Sequence, residues 1–448
     1  LREPNDIRSY AALACIAIQS NQNDQHGGQS VPNFDYSMAP GVRKTFRKLF
    51  RSNLAKALEV FGEDDNNEVD ARELTERVEQ ETGKWACLAG DNGYDEAMAK
   101  ALSERMDEKT VAKCMKFARK YADKETRKGT YQAMEALVHN LNTMHSRAGA
   151  QIPFSSLNYG TDTSPEGRLV MEQLLLATEA GLGNGETPIF PIHIFKVKEG
   201  VNYNDGDPNY DLFKLACRVS AKRMFPNFSF LDAPFNLKYY KPGHPETEVG
   251  YMGCRTRVMS NIVDPSREIT YGRGNLSFTS INLPRLAIRA KGDIDLFFDL
   301  LDSKLQLVTA QLDERFEIQA RKHVYNAPFL MGQGVWIDSE KLSPTDEQRE
   351  VLKHGTLTTG FIGLAECLVA LTGQHHGQSA EAQRLGLEIV GHMRKRMDEA
   401  SEKYHLNFSL IATPAEGLSG RFIRMDQKRY GKIPGVTDRE YYTNSFHI

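Results

Sequence analysis

From about residue 150 onward, the sequence alternates short apolar segments with longer segments of helical periodicity. The segment "IFPIHIFKV" (189–197) precedes "LFKLACRVSAKRMF" (212–225), and residues 407–422, "NFSLIATPAEGLSGRF", contain both kinds in turn. Strand-then-helix repeats are typical of α/β proteins with parallel strands. We therefore predict an α/β fold, with functional residues in the loops at the carboxyl ends of the strands.

The first 150 residues are predicted to be mainly helical. Apolar side chains recur at helical spacing over residues 41–62, and residues 94–148 are rich in Ala, Lys, Arg, Glu and Met. The apolar run at residues 10–18 has the length of a signal-peptide core. However, acidic residues precede it and no cleavage-site pattern follows it, so a buried helix or strand is predicted. No apolar run reaches the roughly 18 residues of a transmembrane helix, and we expect no membrane partner.

Composition narrows the functional classes. The 448 residues carry a net charge of −3 and 26% of them are charged, which gives no strong attraction to nucleic acid or to an anionic membrane. The six cysteines are scattered without a C-x-x-C pair, which argues against a zinc ribbon or a disulfide scaffold and favours the reducing cytoplasm. We predict no metal site in this chain. Because it begins with Leu1, we expect a piece or a processed form of a longer protein.

One cysteine differs from the others in its neighbours. Cys254 lies in "GYMGCRTRV" (250–258), between Gly253 and Arg255. A buried structural cysteine usually has apolar neighbours, whereas this one has the permissive backbone of a loop tip and flanking positive charge.

Further stretches combine glycine or neutral polar residues. Gly27 and Gly28 in "DQHGGQSVPNFD" permit either a tight turn or the close approach of a ligand. Residues 144–168 carry hydroxyl and amide side chains with little charge. That suits recognition of a sugar and phosphates, and a structural role is an equal alternative. Asn275 and Asn282 are polar in apolar surroundings, where an asparagine more often serves backbone partners.

The stretch "ATPAEGLSG" (412–420) is typical of a strand end followed by a helix start. We predict Thr413 as the N-cap, Pro414 as the first helical residue and Glu416 as the acid of a capping box. The same helix N-terminus would also hold a phosphate through its free backbone N–H groups.

Seven stretches in this order resemble one family: "QHGGQSVPNFD", "SRAGAQIPFSSLNYG", "MGCRTRV", "GRGNLSFTSINLPRLAI", "GFIGLAE", "ATPAEGLSGRF" and "YYTNSFHI". Together they are similar to the catalytic barrel of anaerobic (class III) ribonucleoside-triphosphate reductases, from about residue 10 to residue 448. The resemblance implies a ten-stranded α/β barrel of two parallel halves, a finger loop that enters it, and extra helices in the N-terminal third. Residues 1–448 would be one catalytic barrel domain, with a helical effector or dimer region within about 40–150.

The resemblance also implies the chemistry of the site. Cys254 would become a thiyl radical at the finger tip and abstract the 3′ hydrogen of the ribose of a ribonucleoside triphosphate, after which the 2′ hydroxyl is lost. Asn275 would lie near the ribose, and Met252 would be associated with formate as the reductant. The substrate-binding residues would be His26, Gly27, Gly28, Ser155, Ser156, Asn158, Tyr159, Thr413, Pro414, Ala415 and Glu416.

Regulation and assembly are implied by the same resemblance. ATP and deoxynucleotide effectors with Mg²⁺ would bind at a homodimer interface. The basic residues Lys44, Arg47 and Lys48 are candidates for that effector site, and a solvated helix face is the alternative. A radical-SAM activating enzyme would be the protein partner.

Parts of the family pattern are absent from this sequence. They are the motif whose glycine carries the glycyl radical, the cysteine pairs that bind zinc near the C-terminus, and the N-terminal ATP-cone of some members. We expect them outside this chain. Cys15 is the candidate for a second active-site cysteine, and its surroundings do not match the family. Two alternatives stay open: a glycyl-radical enzyme of the acyl-lyase type, although those have two adjacent cysteines at the finger tip, or a non-catalytic nucleotide-binding homologue.

Overall fold

Parallel strands organise both units of the chain, residues 1–259 and residues 260–448. The structure is a computed structural model that describes residues 2–25, 27–62, 67–90, 92–145, 151–253, 256–258 and 260–445. Each unit has its own parallel sheet and its own apolar core. The prediction of an α/β fold with parallel strands is therefore confirmed.

The sheet of the first unit has four parallel strands in the order β1-β2-β3-β4. The two central strands are buried along their whole length, as expected for strands covered on both faces. Successive side chains of a strand point to opposite faces, so β2 presents its odd- and even-numbered residues to different surroundings. The strands are β1 (Gln29–Val31), β2 (Ser155–Tyr159), β3 (Ile192–Val197) and β4 (Asn227–Phe230).

The helices of the first unit, apart from the four-residue helix at Pro234–Leu237, form two groups. One group packs with the sheet in an apolar core that includes residues from α1, α6, α7, the start of α2 and the end of α5. The rest of α2 and α5 joins α3 and α4 in a separate core, which is the helical region predicted within about 40–150. The helices are α1 (Ile7–Asp24), α2 (Phe34–Phe61), α3 (Asn67–Thr82), α4 (Tyr94–Ser103), α5 (Glu108–Thr143), α6 (Pro165–Ala180), α7 (Tyr210–Arg223) and α8 (Pro234–Leu237).

Two helix predictions at the start of the chain can be compared with the structure. The apolar run at residues 10–18 lies in α1 and has buried side chains, so the prediction of a buried helix or strand is confirmed as a helix. Helix α2 begins at Phe34, earlier than the predicted residue 41, and it includes Pro40. A proline inside a helix removes one backbone hydrogen bond. Burial of Phe46, Phe50 and Leu54 on one face supports the helix beyond that point.

A β-hairpin follows the first sheet. Strand β5 (Gly250–Met252) pairs with β6 (Thr256–Val258) in antiparallel register, with Gly250 opposite Val258 and Met252 opposite Thr256. We call this pair of strands the finger hairpin.

The second unit has a three-stranded parallel sheet in the order β7-β8-β9. One face of this sheet packs on a core that contains Phe297, Leu301 and Leu312 of the long helix α10. The elements are β7 (Asn275–Asn282), α9 (Leu283–Ala290), α10 (Ile294–Ala320), α11 (Arg349–Leu352), β8 (Thr356–Ile362), α12 (Leu364–Thr372), α13 (Ala380–Tyr404), β9 (Asn407–Ala412) and α14 (Glu416–Tyr430).

The finer architecture stays a prediction. The described residues form nine strands, seven of them in the two parallel sheets, so a closed ten-stranded barrel and a single domain over residues 1–448 are still expectations. Within the described ranges, no helix combines the length and the apolar character needed to cross a membrane.

Candidate functional site

The connection between the two strands of the finger hairpin contains the predicted radical cysteine. Residues 253–255 join Met252 to Thr256. Gly253 has φ +62°, a left-handed conformation that favours glycine. Cys254 and Arg255 lie outside the described residues, and so does His26, a predicted substrate-binding residue. Met252 is half-buried as the last residue of β5.

Side chains of β1 and β2 hold the finger hairpin by its backbone. The side-chain oxygen of Asn158 accepts from the Tyr251 N–H at 2.9 Å, and its Nδ2 donates to the Tyr251 carbonyl at 3.0 Å. The Ser30 hydroxyl donates to the same carbonyl at 2.5 Å, and the Ser156 hydroxyl accepts from the Gly253 N–H at 3.1 Å. Ser30, Ser156 and Asn158 together are called the hairpin seat below.

Gly28 also lies close to the finger hairpin. A Cβ placed on Gly28 would lie 3.1 Å from Cδ1 of Phe154 and 3.7 Å from the backbone nitrogen of Gly253. The sequence permitted either a tight turn or the close approach of a ligand at this position. In the structure, Phe154 and the backbone of Gly253 lie close to Gly28. Gly27 has φ +96° and open space around its α-carbon, so it serves as a turn residue.

A buried ion pair fixes the chain just before the hairpin. Lys196 Nζ lies 2.9 Å from Glu248 Oε2, and the two side chains are 0% and 5% exposed. The same ammonium donates to Asn33 Oδ1 at 2.6 Å, and the Thr161 hydroxyl donates to Glu248 Oε2 at 2.9 Å. Neither charged residue was predicted. The signal was available, because a lysine inside the mainly apolar strand "IHIFKV" implies a buried partner.

The other predicted residues of β2 face away from the hairpin. The Tyr159 hydroxyl lies 3.1 Å from His193 Nδ1 in the apolar core, and burial lowers the pKa of His193 to about 3. The Ser155 hydroxyl is buried and has no hydrogen-bond partner among the described residues. The four polar side chains predicted to bind substrate therefore divide between two faces, because a strand alternates its side chains.

In the second unit, hydroxyl groups meet at the carboxyl ends of the strands. The Thr413 hydroxyl lies 2.8 Å from the Ser280 hydroxyl, and both are close to Gly360 of the central strand. A Cβ on Gly360 would lie 2.1 Å from Thr413 Oγ1 and 2.8 Å from Ser280 Oγ. The glycine is therefore required for these two side chains to meet across β8.

The predicted start of the last helix was wrong. Helix α14 begins at Glu416, and its N-cap is Ala415, which has no side-chain hydrogen bond. Thr413 continues the sheet instead, because its N–H donates to the Phe361 carbonyl at 3.0 Å and its hydroxyl contacts Ser280. Pro414 thus precedes the helix, and Glu416 is the first helical residue instead of the capping-box acid.

Ala415 gives the first turn of α14 no side-chain cap, so among the described residues the first backbone N–H groups of this helix stay available to an external acceptor. A Cβ on Gly417, the second residue of the helix, would meet nothing within 4 Å. The positive end of the helix dipole adds attraction for an anion. This terminus can hold a phosphate group by its geometry.

Asn275 lies at the other end of the same sheet. It is exposed as the first residue of β7, and Ser280, the partner of Thr413, lies five residues further along the strand. At about 3.3 Å per residue this separates the two ends by about 16 Å. The structure therefore does not bring Asn275 to the loop at residues 413–416. Asn282 caps α9 by accepting from the Arg285 N–H and also donates to Asp426, which is the structural role that sequence reasoning favoured.

The predicted effector residues lie on α2. Lys44 forms an ion pair with Glu3 at 2.6 Å, and Arg47 pairs with Glu79 and lies 5.9 Å from the ring centre of Trp85. Lys48 is exposed. The Lys44–Glu3 pair is open to solvent and is therefore weak, whereas the Glu79 carboxylate that pairs with Arg47 is only 9% exposed.

Other candidate positions are less suited to chemistry. Cys15 is buried in α1, and burial raises the pKa of its thiol to about 11, which leaves little thiolate at neutral pH. Among the described residues, no three or more His, Cys, Asp and Glu side chains are grouped so that they could hold a metal ion.

Comparison with known proteins identifies the family. A family model described as "Anaerobic ribonucleoside-triphosphate reductase" matches residues 1–448. The chain belongs to this family.

Named relatives agree with the assignment. The anaerobic ribonucleoside-triphosphate reductase of Escherichia coli K12 is 37% identical over 332 residues, which are 73% of this chain and 45% of that protein. The enzyme of the same name from Enterobacteria phage T4 is 34% identical over 335 residues, 73% of this chain and 52% of that protein. The chain spans about half the length of these curated relatives.

Solved structures share the fold. The anaerobic ribonucleotide reductase of Thermotoga maritima in complex with dATP and CTP aligns with a TM-score of 0.57 at 13% identity, covering 99% of this chain and 60% of that chain. The same enzyme with citrate in its active site aligns with a TM-score of 0.55 at 14% identity, covering 99% and 64%. These alignments support the α/β fold of the reductase family for this chain.

Proposed function

We propose that this chain is the catalytic region of an anaerobic ribonucleoside-triphosphate reductase, which converts ribonucleoside triphosphates to deoxyribonucleoside triphosphates. One observation carries the proposal: the stretch that contains Cys254 connects the strands of a hairpin that is hydrogen-bonded to a parallel sheet. We propose that this scaffold presents Cys254 to a substrate. Family membership then suggests which substrate that is.

The proposed chemistry begins at the Cys254 sulfur. A glycyl radical, on a glycine that the family carries outside this chain, supplies the oxidising equivalent. The Cys254 thiyl takes the 3′ hydrogen of the ribose, and the 2′ hydroxyl then leaves as water with one added proton. Two electrons and one proton reduce the sugar at C2′. Return of the hydrogen from Cys254 to C3′ restores the thiyl radical.

Formate is the proposed source of the two electrons, which it gives up as it is oxidised to carbon dioxide. A reductase that depends on a small redox protein needs a second thiol near the first, so that a disulfide can form and be reduced again. Two positions before Cys254 stands Met252, which cannot form a disulfide. Arg257, which stacks on Phe235 at 4.7 Å, adds positive charge for an anion near the hairpin.

The triphosphate is proposed to bind at the N-terminus of α14, in the loop of Thr413, Pro414, Ala415 and Glu416. Uncapped backbone N–H groups and the helix dipole provide the attraction. Gly27 and Gly28 stay proposed as substrate contacts through their backbone, and Asn275 through its exposed amide.

Regulation and assembly complete the proposal. We propose ATP and deoxynucleotides as effectors and a ribonucleoside triphosphate as substrate, and the Thermotoga maritima structure is described as a complex with dATP and CTP. We propose that effectors with Mg²⁺ bind near α2, that two copies of the protein form a homodimer, and that a radical-SAM enzyme installs the glycyl radical. The cytoplasm is the proposed location, and zinc is expected in the family's C-terminal region.

The test uses the full-length protein that contains this chain, activated without oxygen and supplied with CTP, ATP and carbon-14 formate. We expect deoxynucleotide and labelled carbon dioxide in equal amounts. Cys254→Ala should abolish both products while the protein stays folded. The matched control is Cys217→Ala, which removes an exposed cysteine of α7 and should leave turnover unchanged.

Two results would contradict parts of this proposal. Turnover above a trace in Cys254→Ala would remove the cysteine from the mechanism. Full turnover with a thioredoxin or glutaredoxin system, without labelled carbon dioxide, would exclude formate as the reductant.

A further inference from the structure

The side chain of Asn158 is arranged as a clamp on the finger hairpin. It is 0% exposed, and its amide uses both a donor and an acceptor on one residue, Tyr251. Two residues earlier on β2, the Ser156 hydroxyl receives the N–H of Gly253, which lies two residues after Tyr251. Ser156 and Asn158, at alternating positions of β2, thus bond to the backbone of the hairpin as a neighbouring strand would. These bonds set the register of the hairpin.

The hairpin depends on these bonds for its position. Each of its strands has three residues, and a two-stranded hairpin of this size is marginal without further support. Ser30 supports the same Tyr251 carbonyl, and the Lys196–Glu248 ion pair holds the chain two residues before β5 begins. The contacts at Tyr251 and Gly253 lie nearest in sequence to Cys254, which directly follows Gly253.

We propose that Asn158 is a positioning residue for Cys254 and not a ligand of the substrate. Its bonds to Tyr251 fix the position of the hairpin along β2 and its register. They would thereby determine where Cys254 lies. This inference rests on the proposed function, because it assigns the clamp a role in that reaction. A displacement of about 1 Å in a reacting group can lower turnover about 100-fold, so a clamp on a short hairpin is a strong determinant of rate.

Asn202 provides a matched control in the same unit. It is also 0% exposed and also bridges backbone groups: its Nδ2 donates to the carbonyls of Gly160 and Lys196, and its oxygen accepts from the Lys198 N–H. None of these bonds involves the finger hairpin. Asn158→Ser and Asn202→Ser therefore remove the same chemical groups at the same burial. They differ in whether the hairpin is released, and Asn158→Ser also removes a donor to the Ser30 hydroxyl and the Val31 carbonyl of β1.

The first measurement uses this chain. Maleimide labelling of Cys254 is followed by mass spectrometry of its peptide, with exposed Cys217 as the internal reference. We expect Asn158→Ser to change the labelling rate of Cys254 at least about fivefold, because the hairpin leaves its register, and Asn202→Ser to leave that rate unchanged. Equal rates in the two variants would overturn the proposal whether or not the protein is a reductase.

The second measurement uses the activated full-length protein. Asn158→Ser should lower kcat about 100-fold, while the affinity for CTP, measured by calorimetry, stays within about twofold and the glycyl-radical signal is unchanged. Asn202→Ser should retain most of its kcat. Weaker CTP binding with unchanged Cys254 labelling would instead make Asn158 a substrate ligand and overturn the inference.

If Asn158→Ser does not fold, Ser156→Ala still tests the proposal that β2 positions the hairpin. It removes one acceptor from the Gly253 N–H and leaves the clamp on Tyr251 in place. We expect about a tenfold loss of kcat with unchanged CTP affinity, and wild-type kcat in this variant would count against the proposal. A wild-type protein that reduces no CTP would refute the proposed function, while the labelling comparison would still report on the clamp.

Discussion

The hairpin seat of the first unit and the start of α14 in the second unit use polar groups in opposite ways. In the seat, the side chains of Ser30, Ser156 and Asn158 are all bonded to the backbone of the finger hairpin. At the start of α14, Ala415 offers no side-chain acceptor, so the first backbone donors have no cap. The first arrangement holds a piece of the protein in place, whereas the second leaves donors for a ligand.

The difference shows that polar composition alone does not mark a binding surface. Residues 155–159 are as rich in hydroxyl and amide groups as a ligand site, but the bonds that Ser156, Asn158 and Tyr159 make stay within the protein. Buried networks of this kind stabilise a single arrangement when every member is satisfied and are costly when one is removed. The two regions should therefore respond to substitution with different magnitudes.

The largest effect is expected at the buried ion pair of Lys196 and Glu248. Lys196→Met leaves the Glu248 carboxylate buried without its cation, which should lower the free energy of unfolding by about 3–5 kcal/mol. Chemical denaturation measures the change. Lys196→Met combined with Glu248→Leu should recover much of the loss, because no uncompensated charge remains.

The control for that experiment is an exposed ion pair. Arg394 and Asp398 pair at 2.8 Å on α13 with both side chains more than half exposed. Arg394→Ala should change the free energy of unfolding by less than about 1 kcal/mol. If Lys196→Met were as mild as Arg394→Ala, the hairpin would not depend on a buried charge.

An intermediate effect is expected where the sheet of the second unit ends. Gly360→Ala would place a Cβ 2.1 Å from Thr413 Oγ1, and such crowding should lower the free energy of unfolding by about 1–3 kcal/mol. Adding Thr413→Ala should relieve part of the loss. Gly391→Ala, in an exposed and open position of α13, should instead stabilise the protein by about 0.5–1 kcal/mol. Equal effects of the two glycine substitutions would show that the hydroxyl pair is not packed tightly.

Sequence periodicity was sufficient to locate the helices and strands, but it was not sufficient to predict the local geometry at their ends. Apolar spacing located α2 and the strand-then-helix units because burial dictates those patterns. The capping rule failed at Thr413, because pairing with Phe361 and contact with Ser280 used the groups that a cap would need. A local rule cannot include a partner that lies far away in the sequence.

Three of the residues predicted to bind substrate lie together in the structure, and their role toward a substrate stays a prediction. Gly28, Ser156 and Asn158 all lie beside the finger hairpin. Ser30 and Glu248 were missed because each looks ordinary in its own stretch and becomes important through a partner more than 50 residues away. Resemblance to the family supplied the importance of Cys254, which residue chemistry alone indicated only as a loop-tip cysteine.

A small stability effect, and the most direct test of the open helix start, is expected at Ala415. A Ser or Asp at an N-cap accepts a backbone N–H of the first turn, so Ala415→Ser and Ala415→Asp should each raise the free energy of unfolding by about 1 kcal/mol. Their effects on nucleotide binding should differ. Ala415→Asp places a negative charge where the triphosphate is proposed to bind, and we expect about a tenfold loss of CTP affinity, or about 1.4 kcal/mol. Ala415→Ser, which is neutral, should lose about threefold or less. If both variants were stabilised but bound CTP as tightly as the wild type, the triphosphate would lie elsewhere.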